Sequence, residues 1–64
     1  MIAVPVNRSE LSSLLGLLEQ VTERVSAMAD QALAEKADDV ANELFGIERQ
    51  LSGAKRRLGR FLDR

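Results

Sequence analysis

From Leu11 onward the apolar side chains step along the chain by three and four: Leu11, Leu14, Leu18, Val21, Val25, Met28, Ala32. That spacing keeps one strip of a helix apolar over about six turns at 3.6 residues each. It predicts a coiled-coil-like helix with heptad a positions at 11, 18, 25 and 32 and d positions at 14, 21 and 28. A second series, Ala37, Val40, Leu44, Ile47, Leu51, Ala54, Leu58 and Phe61, predicts a second helix of the same kind. The first helix has a marked start. Asn7 stands at a capping position, Glu10 follows three residues later as in a capping box, and Val6 and Leu11 occupy the two places of a hydrophobic staple. Ahead of it, Pro5 keeps Val4 extended, so residues 1–7 read as an apolar N-terminal arm.

The join between the two series decides the fold class. A continuous coil would place its next a residue at 39, whereas the second series begins at 37, a slip that matches neither a three-residue nor a four-residue insertion. The chain is therefore expected to fold back on itself as an all-α antiparallel helical hairpin spanning residues 8–64. Helix 1 runs over about 8–34, the turn over about 35–38 and helix 2 over about 39–63. With its centre near Lys36, every a residue lies level with an apolar residue of the other helix, Leu11 with Phe61 and Val25 with Ile47 among them. Against the turn stands its chemistry: residues 34–37 are good helix formers without glycine or proline, and Asp38 or Asp39 is the only cap on offer. The alternative is one long continuous coiled-coil helix.

With a and d packed inside, the g side of the hairpin is polar and the e side carries a second apolar seam. Leu15, Ala29, Ala41 and Leu62 lie on it, and Leu33 and Phe45 extend it from neighbouring b positions. Gly46 and Gly53, seven residues apart on the outside of helix 2, would allow close approach. A lone hairpin cannot cover such a seam, so the expected partner is a second copy, giving a homodimeric four-helix bundle, with another helical protein as the other possible occupant. The dimer is expected to be antiparallel in preference to parallel, because each basic terminal end then lies beside the partner's acidic turn.

Composition narrows the chemistry. The 64 residues contain no cysteine and no histidine, which removes disulfides, thiolate and imidazole metal ligands and the commonest general base. No cofactor is expected. Ser52 and Lys55 have the spacing of an S-x-x-K acyltransferase motif, but that motif needs an oxyanion hole that so short a chain has no fold to build. Asp38, Asp39, Glu35 and Glu43 lack the alternating ligands of a calcium loop and read as a solvated acidic turn. The expectation is a non-enzymatic, cytoplasmic interaction module, an adaptor or scaffold. No apolar run approaches the roughly 20 residues that span a bilayer.

Charge adds one further candidate. The net charge of −1 hides a division, with residues 1–50 at −5 and residues 51–64 at +4. Lys55, Arg56, Arg57, Arg60 and Arg64 fall around the outside of the last turns of helix 2. Cations there complement the helix macrodipole, and they are also candidates to contact an anion, a nucleic acid or lipid headgroups. A nucleic-acid-binding regulator and a membrane-surface scaffold are thus the alternatives to the adaptor.

Overall fold

The computed structural model describes residues 7–62; residues 1–6 of the N-terminal arm, with Pro5 and the staple residue Val6, and residues 63–64, with Arg64, lie outside them. Two helices pack side by side in antiparallel fashion, α1 over Arg8–Ala34 and α2 over Asp38–Gly59. There is no strand among the described residues. The chain is the all-α helical hairpin that the phase slip predicts, and the single long helix is set aside.

The start of α1 follows its sequence signal. The Asn7 side chain accepts a hydrogen bond of 2.9 Å from the backbone N–H of Glu10, satisfying one of the amides that a first turn leaves without a partner. Glu10 itself places negative charge in that turn. At the far end of the hairpin the guanidinium of Arg8 donates to the carbonyl of Leu62, tying the beginning of α1 to the residues just past α2.

The turn is tighter than its residues suggest. Lys36 takes φ = 61°, in the left-handed region. Its N–H donates to Leu33 O at 3.0 Å, and the N–H of Ala37 donates to Ala32 O at 2.8 Å. These two bonds make a Schellman closure with a lysine where glycine is the usual residue, so the break comes from backbone geometry. Neither Asp38 nor Asp39 caps α2. Ala37 occupies the cap without a side-chain bond, and the two aspartates sit in the first turn, where they face the positive end of the helix dipole.

α2 is shorter than its apolar repeat. Beyond Gly59, the N–H groups of Phe61 and Leu62 reach back three residues, to Leu58 and Gly59, at 3.1 and 3.0 Å. The last turn has tightened to the three-residue type common at helix ends. The expected end near residue 63 therefore becomes a regular helix to 59 followed by a short wound tail.

The left-handed residue gives a direct test. A β-carbon in that region costs roughly 1 kcal/mol, which glycine does not incur. Lys36→Gly is expected to stabilise the hairpin by up to about 1 kcal/mol, raising the thermal midpoint by several degrees in circular dichroism at fixed chain concentration.

Candidate functional site

The helices meet along a strip rotated by one heptad row from the one expected. The a row is turned inward: Leu11 and Ala32 are buried, and Leu18, Val25, Ala37, Leu44, Leu51 and Leu58 are half-buried. Its companion is the e row. Ala29 and Ala41 are wholly closed to solvent, Thr22 is buried, and Leu15, Glu48, Lys55 and Leu62 are half-buried. The d row, expected inside, is open: Leu14 is 45% exposed, Val21 46% and Met28 57%, and Val40, Ile47 and Phe61 lie between 40% and 52%.

Side-chain size accounts for the roll. In the half of the hairpin nearer the turn the e rows carry Thr22, Ala29 and Ala41 where the d rows carry Val21, Met28, Val40 and Ile47. Toward the terminal end the e rows hold the larger Leu15, Glu48, Lys55 and Leu62, which close the strip only partly. Helix axes approach most closely where side chains are short, so the pair turns its small residues inward. Thr22 fits this buried strip because its hydroxyl donates to Leu18 O at 2.6 Å within its own helix, leaving no unsatisfied polar atom.

The seam expected to meet a partner is therefore spent inside the chain. Ala29 and Ala41 close the hairpin, and Leu15 and Leu62 are partly covered by it. Leu33 remains exposed and Phe45 half-exposed, but their b positions put them on the far side from the d row. That side also presents an open polar groove lined by Glu19, Thr22, Glu23, Ser26, Glu48 and Lys55. Nothing approaches the positions that β-carbons would take at Gly46 and Gly53, so no contact within the hairpin requires glycine there.

What remains open is a continuous apolar face formed by the d rows of both helices, with the partly covered a residues as its floor. Leu17 flanks it on α1, 56% exposed. Toward the turn the face deepens into a groove of about 300 Å³ between the helices, lined by Met28, Ala32, Ala37, Val40 and Leu44 and rimmed by Gln31 and Glu35. The Gln31 amide donates to the Glu35 carboxylate at 3.3 Å, holding that polar rim together. Scattered apolar residues are ordinary on a protein surface, whereas a contiguous face of this kind is unusual on one and makes it the candidate contact surface.

The cations occupy the opposite end from this groove. Arg56, Arg57 and Arg60 are exposed and Lys55 is half-buried. The antiparallel fold adds Arg8, which the sequence series alone did not place with them. Arg64 lies outside the described residues. Among the described residues no group of acidic side chains is arranged to hold a metal ion, and no helix is long and apolar enough to cross a membrane. Compared with protein families, with curated proteins and with solved structures, the chain matches none.

The closed strip makes its own prediction. Ala41→Leu forces three extra carbons between helices in close approach and is expected to destabilise the hairpin by about 1–3 kcal/mol. The same substitution at Ala27, an exposed position of α1, is expected to leave Ala27→Leu within about 0.5 kcal/mol of the native chain. Urea unfolding of the two variants at equal concentration reads the difference.

Proposed function

We propose that this chain is a small non-enzymatic protein–protein interaction module, an adaptor or scaffold that acts as a homo-oligomeric helical bundle. The observation that carries the reading is the open d face. Among the described residues the buried apolar set within one hairpin is Leu11 and three alanines, a thin core. Most of the larger apolar side chains left outside stand on that face, with Leu33 and Phe45 on the other side. Burying a valine or leucine stabilises by about 1.5–3 kcal/mol, so covering that row supplies what the single hairpin lacks.

The test is association through that face. The native chain is expected to sediment at a multiple of its 7.1 kDa, and Val21→Glu with Ile47→Glu is expected to give a helical species of 7.1 kDa. Leu33→Glu with Phe45→Glu, on the other side, is expected to leave the assembly intact. A native chain that is monomeric at micromolar concentration overturns the reading.

One observation favours a second reading, a nucleic-acid-binding regulator: the fold adds Arg8 to Lys55, Arg56, Arg57 and Arg60 at one end of the molecule. Phosphate contacts release counterions, so such binding weakens steeply with salt. Retention on heparin that falls between low and moderate salt, and is lost in Arg56→Ala/Arg57→Ala/Arg60→Ala, selects this reading. Absence of retention at low salt leaves the adaptor.

A further inference from the structure

We propose that the open face is covered by a second copy of this chain lying antiparallel to the first, so that the turn of each hairpin packs on the chain-terminal end of the other. The inference rests on the homo-oligomer reading above and specifies its partner surface and its geometry.

Size comes first. At a rise of about 1.5 Å per residue, the 27 residues of α1 make the face about 40 Å long, and two helices of about 10 Å diameter make it about 20 Å wide. The resulting area of about 800 Å² is what each partner contributes to a stable interface of standard size. One further copy therefore suffices to cover it.

Symmetry then leaves two choices. A two-fold axis between two face-to-face hairpins lies in the plane of contact, either along the helices or across them. An axis along the helices sets both turns at one end and lays α1 over the partner's α2. An axis across them sets the turns at opposite ends, lays α1 over the partner's α1 and lays α2 over the partner's α2.

The second arrangement fits the distribution of shape and charge. Centred on Val21, it places one copy's Leu14 level with the partner's Met28 and one copy's Phe61 beside the partner's Val40. The large apolar residues at the terminal end thus meet the two that line the groove near the turn, and the match occurs twice by symmetry. On the flanking g row of α2, Glu43 falls near the partner's Arg57. The ends follow the same logic. Asp30, Glu35, Asp38, Asp39 and Glu43 cluster at the turn against the single Lys36, while Lys55, Arg56, Arg57, Arg60 and Arg8 cluster at the terminal end against Glu10. The antiparallel dimer brings opposite ends together, whereas the parallel one stacks like on like.

Because the chain has no cysteine, single introduced thiols report the arrangement. A disulfide needs Cα atoms within about 7 Å, which only facing positions satisfy. Val21→Cys sits on the symmetry axis and is expected to link to itself almost completely on mild oxidation. Leu14→Cys and Met28→Cys are expected to link when the two chains are mixed, and not each with itself. Independently, Glu43→Arg is expected to weaken dimerisation severalfold, and Glu43→Arg with Arg57→Glu in one chain to restore it. A dimer in sedimentation that does not link through Val21→Cys, or that links Val21→Cys to Ala54→Cys chains instead, overturns the antiparallel arrangement and leaves the homo-oligomer standing. A native chain that sediments as a monomer and forms none of the links removes both.

Discussion

Two helices can each bury only one strip against the other, and the choice of strip governs everything else about this molecule. Here the choice falls on the short side chains. Thr22, Ala29 and Ala41 let the helix axes approach, and the leucines of the a row fill the space on one side of them. Once that strip is closed, the bulky d residues have no place within the chain. The apolar surface left outside is thus the geometric remainder of close packing inside, and any account of function must say what covers it. The same roll leaves the opposite side mixed, with Glu19, Glu23 and Glu48 around an open groove and Leu33 and Phe45 as its isolated apolar residues. The hairpin consequently has two unlike faces.

The two ends are as unlike as the two faces, for a different reason. Folding back brings the acidic residues around the turn together and sets Arg8 beside the basic tail of α2. The charge separation along the sequence becomes a dipole along the length of the hairpin. Apolar area fixes whether such a molecule associates, and charge fixes in which direction, since screened surface charges contribute little affinity but penalise like-charge contact.

Much of this is legible in the residue pattern, and the parts that are not have specific causes. The two helices, their antiparallel relation and the cap at Asn7 follow from heptad spacing and from the oxygen of one side chain, both local properties. The facing strip does not follow, because the a and d rule describes coils whose core rows are all large. Ala29 and Ala41 are visible as apolar residues, but their smallness, which draws the helices together, is a property of the pair. The sequence signal that could have found them is the set of small e residues nearest the turn, Thr22, Ala29 and Ala41, against the large d residues beside them, Val21, Met28 and Val40. The turn's place around Lys36 follows from the phase slip, while its chemistry points elsewhere. A lysine in the left-handed region carries no marker in the sequence, since tertiary contact overrides the local preference. Arg8 likewise joins the basic end through the fold alone.

The left-handed lysine also bears on how the chain avoids becoming a rod. Rotating that single residue back into the right-handed region would fuse α1 and α2 into one helix, and residues 34–37 would accept it. From Ala32 to Ala37, however, five residues at 100° each carry the apolar stripe around by roughly 140°. A straight rod would therefore wear its two stripes on nearly opposite sides, and no single partner helix could cover both. The backbone hinge is weak, but the stripes it joins are out of phase in every conformation except the folded-back one, so the bend is held by what straightening would expose.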